Sequence, residues 1–141
     1  MTSIRHYQWA AFILLILLPA LFASCQQSAS SVPLQKRIPP ADPSKYREVR
    51  DYLDWKNPYL LVKADGIEFV RGASGHSVAV DSVPAILDDL PKSAWPFGLI
   101  VAVQEAGLRG VTDTPRINAN RDKLLRLLKG MGVAVFLWPS A

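Results

Sequence analysis

The segment Tyr59-Leu60-Leu61-Val62-Lys63-Ala64-Asp65-Gly66-Ile67-Glu68-Phe69-Val70 reads as a β-hairpin. Two β-prone runs flank Asp65-Gly66, and glycine tolerates the positive φ that a tight turn requires. Downstream, Gly72-Ala73-Ser74-Gly75 reads as a glycine-rich loop and Ser77-Val78-Ala79-Val80 as a short strand. Val83, Ile86, Leu87 and Leu90 then stand at i, i+3, i+4 and i+7, the spacing of an amphipathic helix. Ser82 is placed to cap that helix and Pro91 to stop it.

Leu99-Ile100-Val101-Ala102-Val103 is an unbroken apolar run and predicts a buried strand. Residues 104–119 read as a long connection. A last helix is expected over residues 120–129, capped by Asn120 and closed by Gly130, with Leu124, Leu125, Leu127 and Leu128 inward. Asp122 and Arg126 have the spacing of a favourable helical ion pair. Val133-Ala134-Val135-Phe136-Leu137-Trp138 predicts the closing strand. Upstream of the hairpin, Asp42 and Pro43 suit a helix start, and Tyr46, Val49 and Leu53 recur on one face. That pattern predicts a helix over residues 43–56, ended by Asn57-Pro58. The element order implies one α+β domain over residues 45–141. Its two layers are about three helices packed on a mixed sheet of about four to five strands.

The N-terminal region has a different composition. Arg5 and His6 precede an uncharged stretch from Ala10 to Ala23, 14 residues long and interrupted by Pro19. A membrane-spanning helix needs about 20 apolar residues, so the stretch has the layout of a secretory signal. Cys25 follows, and it is the only cysteine in 141 residues. One thiol forms no internal disulfide and supplies no cysteine-based zinc site.

The run Leu21-Phe22-Ala23-Ser24-Cys25 resembles the bacterial lipobox, with Phe22 where that family most often has leucine. The resemblance implies acylation of the Cys25 sulfur, cleavage between Ser24 and Cys25, and residues 1–24 as the removed signal peptide. Palmitate-type chains on Cys25 would then be the protein's contact with the lipid bilayer. Gln26 stands where aspartate would retain a Gram-negative lipoprotein at the inner membrane, which implies the periplasmic face of the outer membrane. Residues 25–44, rich in Ser and Pro, read as a flexible tether, with Lys36 and Arg37 as solvated linker charges.

From Leu60 to Leu137 the order of elements resembles the periplasmic domain of the ExbD/TolR family, through the Asp65-Gly66 turn, the short strand before residues 82–90 and the closing helix–Gly–strand. That family carries an aspartate in a permanent membrane helix. Residues 10–23 contain none, so only the fold is implied.

The chemistry-bearing residues are sparse. Without Arg5, 15 Lys and Arg stand against 12 Asp and Glu, scattered along the chain. No dense basic stripe suits a nucleic acid. His76 has Ser74, Ser77 and Asp81 nearby in sequence, but Gly72-Ala73-Ser74-Gly75 misses the nucleophile-elbow spacing by one residue. Adjacent Asp88 and Asp89 diverge on a helix, and Asp113, Asn118 and Asn120 lack calcium-loop spacing, so no metal or cofactor site is expected. Trp55, Trp95 and Trp138 lie at element ends, where tryptophan either closes a core or anchors an interface. Arg121, Lys123, Arg126 and Lys129 mark the outer face of the last helix, for solvent or for an anionic partner. The expectation is a non-enzymatic envelope lipoprotein with Trp95, Arg121, Arg126 and Lys129 as candidate contacts for a protein or cell-wall partner. The alternatives are an anchored hydrolase using His76 and an accessory component of a TolR-like machine.

Overall fold

The computed structural model describes residues 32–70, 77–107 and 113–139. Cys25, Ser24 and His76, with the loop at residues 72–75, lie outside the described residues. Among the described residues five strands form one mixed sheet: β1 (Tyr59–Lys63), β2 (Gly66–Phe69), β3 (Ser77–Val78), β4 (Ile100–Glu105) and β5 (Ala134–Leu137). Their spatial order is β3-β2-β1-β4-β5. The expected hairpin is present, β1 and β2 pairing antiparallel with Lys63 opposite Gly66. Gly66 has φ +147, and a Cβ there would collide with the Val78 carbonyl, so the missing side chain lets β3 close on the turn. β4 runs parallel to both β1 and β5.

Among the described residues three α-helices accompany the sheet: α1 (Leu34–Arg37), α2 (Val83–Asp89) and α3 (Thr114–Gly130). The α+β class, the helix count and the strand count are as expected from the sequence. The positions of two helices are not.

Residues 43–56 do not form a helix. Only Pro43–Lys45 winds into a 3-10 turn, with the Asp42 carboxylate accepting from the Ser44 amide at 3.1 Å. The Asp51 side chain then accepts from the Leu53 amide at 2.8 Å, a local bond that competes with helix hydrogen bonding. An isolated helix of this length is marginal, whereas large rings gain much by burial. The segment instead folds its rings onto the sheet, and Leu53, expected inward, is 60% exposed.

The second correction concerns the tether. Residues 34–42 are part of the domain rather than a free linker. Leu34 and Ile38, one helical turn apart, are buried in the main core. Gln35 Nε2 donates to the Met131 carbonyl at 2.6 Å, and Arg37 Nη2 pairs with Asp88 Oδ1 at 2.6 Å. Pro40 bridges to Leu99 in parallel, and the Asp42 amide donates to the Phe97 carbonyl at 2.9 Å. This strap joins α2, the end of α3 and the start of β4.

The sheet separates two apolar layers. Strand alternation sends Leu60, Val62, Ile67, Phe69, Val101 and Val103 toward α2 and α3, which contribute Val83, Leu87, Ile117, Leu124 and Leu128. The opposite face carries Tyr59, Ala102 and Phe136, covered by Trp55, Tyr46, Val49 and Phe97. Trp55 stacks on Phe136 with centroids 5.1 Å apart and meets Phe97 edge-on at 5.2 Å. Asn57 fastens this layer to the sheet. Its Nδ2 donates to the carbonyls of Gly98 and Ile100, both at 2.7 Å, and its Oδ1 accepts from the Phe97 amide at 2.8 Å.

α3 begins at Thr114 and not at residue 120. Asn120 is therefore no cap: its amide donates to the Lys63 carbonyl at 2.8 Å and binds the hairpin turn to the helix. The anticipated Asp122–Arg126 pair is replaced by Asp122 with Arg121, Nη2 to Oδ1 3.0 Å. Met131 and Gly132 close the helix, Gly132 in the left-handed region at φ +66.

Substituting Asn57→Ala strands two buried carbonyls and one amide, so a loss of about 3 kcal/mol in urea-unfolding free energy is expected. Leu34→Ala is expected to cost about 2–4 kcal/mol in the same assay, as for a core leucine. A change near zero at Leu34 would show that the strap does not belong to the cooperative unit.

Candidate functional site

The candidate site is a groove of about 460 Å³ between α3 and the C-terminal ends of β4 and β5. Its walls follow from three periodicities. Val103 and Glu105 are two apart on β4 and share a face; Leu137 is the register partner of Val103 on β5. Arg121 and Leu125 stand one turn apart on α3 and share a flank. Trp138, whose amide donates to the Val103 carbonyl at 2.8 Å, closes the end. The lining is mostly apolar, and Leu137 is 64% exposed on the rim.

Three charged side chains line the groove, and two of them, Glu105 and Asp122, fix the orientation of the third, Arg121. Arg121 Nη1 meets Glu105 Oε1 at 2.7 Å, and Nη2 meets Asp122 Oδ1 at 3.0 Å. Glu105 first, and then Asp122, holds the guanidinium above its ordinary pKa. All three side chains are about a third exposed or more, so water screens the pairs. Each contributes at most about 1 kcal/mol to stability. Their effect is positional: a planar donor fork is held at the mouth of an apolar trough.

β5 is also a sheet edge. Its Ala134 and Trp138 amides point to β4. The alternate groups, on Val135 and Leu137, point away from the sheet. The strand Ala134–Leu137 carries no charge and no proline, features that ordinarily discourage pairing at an edge.

The other residues singled out from the sequence scatter. Trp95 is not available to a partner: it is 3% exposed within the helix-side core, and its Nε1 has no acceptor among the described residues. Arg121 lines the groove. Arg126 and Lys129 are exposed on the outer face of α3 and form no ion pair among the described residues. Lys123 pairs with Asp81 at 2.6 Å, which engages the carboxylate nearest in sequence to His76. Asp88 is held by Arg37 and Asn120 by the hairpin carbonyls. Among the described residues no group of three His, Cys, Asp or Glu side chains is placed to hold a metal. Trp55 is fully buried, and Trp138 divides its ring between the aromatic layer and the groove.

Glu105, Leu125 and Leu137 were not distinguishable by sequence. Leu137 sits in an apolar run that reads as a buried strand. Its exposure follows from β5 being the last strand of the sheet, which no local pattern encodes.

On the opposite face, Tyr59 donates its hydroxyl proton to Gln104 Oε1. Burial, and then the neighbouring Tyr52, push the Tyr59 hydroxyl up to about 12. Gln104 Nε2 in turn donates to the Pro139 carbonyl at 2.8 Å, which ties the residues after β5 to β4.

Comparison with protein-family models, with curated proteins and with solved structures found no match to this chain.

The raised Tyr59 value has a definite sign for stability. The folded chain holds the proton more tightly than the unfolded one, whose tyrosine titrates near about 10. The contribution is complete below about pH 10 and is lost as pH rises toward 12. Relative to Tyr59→Phe, the wild type is expected to lose on the order of 2 kcal/mol across that interval, read from denaturant midpoints. Parallel curves for the two proteins would contradict the assignment.

Proposed function

We propose that the chain is a lipid-anchored lipoprotein of the bacterial envelope, facing the periplasm from the outer membrane. Its domain binds a protein or cell-wall partner without chemistry of its own. The anchor reading rests on the charged start, the short apolar core and the isolated Cys25 at the end of a lipobox-like run. No helix among the described residues is long and apolar enough to cross a membrane, and residues 10–23 lie outside them.

The observation that carries the binding reading is the apolar groove beside an uncharged, open sheet edge. A partner's apolar side chain fits between Leu125 and Leu137, while its backbone adds to β5. Arg121, oriented by Glu105 and Asp122, would donate its remaining N–H groups to a neutral carbonyl at the mouth. Glu105 and Asp122 are both engaged by Arg121, an arrangement that orients a donor for binding. An accessory role in a TolR-like machine is a narrower form of the same proposal and requires co-purification with an inner-membrane motor.

The test is photo-crosslinking in intact cells from a reactive side chain at Leu137, with a second probe at Asp65 on the hairpin turn as reference. A discrete adduct from residue 137, absent from residue 65 and lost with Leu125→Gln, is expected. Equal labelling from both positions would refute the groove as the contact.

A further inference from the structure

We infer that the face formed by α1 and the end of α3, bearing Lys36, Arg126 and Lys129, lies against anionic phospholipid head groups. The inference rests on the lipid-anchor reading of Cys25 and adds the orientation of the domain. The first argument is one of length. Cys25 precedes Leu34, the first core residue of the strap, by nine positions. A chain of that length spans at most about 30 Å however it runs. A domain of about 100 residues has a radius of gyration of about 13 Å, so the whole reach is close to one domain diameter. The surface around Leu34 therefore stays within about one domain diameter of the anchor.

The second argument is what that surface carries. Gln35 donates to the Met131 carbonyl, and a Cβ on Gly132 would collide with the Gln35 amide, so α1 sits on the C-terminal end of α3. Lys36, beside Gln35, is exposed. Arg126 and Lys129, one turn apart on α3, are exposed as well. None of the three has an ion pair among the described residues. The acidic groups at this end are Asp88, neutralised by Arg37, and Asp89, exposed at the end of α2. On α3 the paired cations, Arg121 and Lys123, lie farther toward the N-terminus. Three cations without an ion pair among the described residues thus stand near the root of the lead to the anchor, which complements a negatively charged bilayer surface. In this orientation the hairpin turn, bonded to α3 through Asn120 about two turns and more before Lys129, points away from the membrane.

The test uses the full chain, processed and acylated in cells and reconstituted into vesicles. Cys25 is the only cysteine, and acylation blocks its sulfur, so one introduced thiol is labelled uniquely. Gly130→Cys is suitable because a side chain there meets no atom within 4 Å. Asp65→Cys on the hairpin turn is the reference. With a spin label at 130, vesicles containing phosphatidylglycerol are expected to lower exposure to an aqueous relaxation agent by about fivefold relative to phosphatidylcholine, the attraction of one cation. The effect should vanish at high ionic strength, and with Lys36→Gln, Arg126→Gln and Lys129→Gln combined, while the label at 65 stays unchanged. Equal exposure at 130 on both lipids, with the acyl mass confirmed on the Cys25 peptide, overturns the orientation and leaves the anchor standing. An unmodified Cys25 overturns the anchor, and the orientation with it.

Discussion

The Asn57 side chain is the constraint on which the arrangement of this domain depends. It is the one buried polar side chain among the described residues, and three hydrogen bonds satisfy it: two carbonyls and one amide of residues 97–100. Those residues lead into β4, the central parallel strand. Asn57 itself directly precedes Pro58 and β1. One side chain therefore fixes the approach of both strands that form the middle of the sheet. It also positions Trp55, two residues before it, and Phe97, whose amide it binds, so that their rings meet above the sheet. A buried amide with all these bonds made adds specificity, because every alternative placement leaves polar groups unpaired.

The two faces of the sheet are covered by different means. α2 and α3 cover one with aliphatic side chains in regular periodicity. An irregular segment of residues 41–58 covers the other with aromatic rings, whose area compensates for the lack of regular secondary structure. Among the described residues no strand lies beyond β5. The groove beside α3 and the edge of β5 that no described strand covers both follow from that order. The strap of residues 34–42 closes the opposite end, where pairing with Met131 and Asp88 joins segments remote in sequence.

Local pattern alone is enough to read the hairpin at residues 59–70, the helix around Val83–Asp89, the buried strand at β4, the closing strand at β5 and the α+β class. Each is written in a local period or a turn dipeptide that burial reinforces. The course of residues 34–58 depends instead on contacts between remote segments. Leu34 and Ile38 form too short a pattern to stand out among prolines and serines, and the Tyr46–Val49–Leu53 spacing imitates a helix although Tyr46 and Trp55 pack as a pair on the sheet. The choice of Glu105 over solvent for Arg121, and of Asp81 for Lys123, is likewise a matter of distance between separate elements. The groove shares this origin, since whether a leucine in an apolar strand is buried or bare depends on whether another strand lies beside it, and that is a property of the assembled sheet.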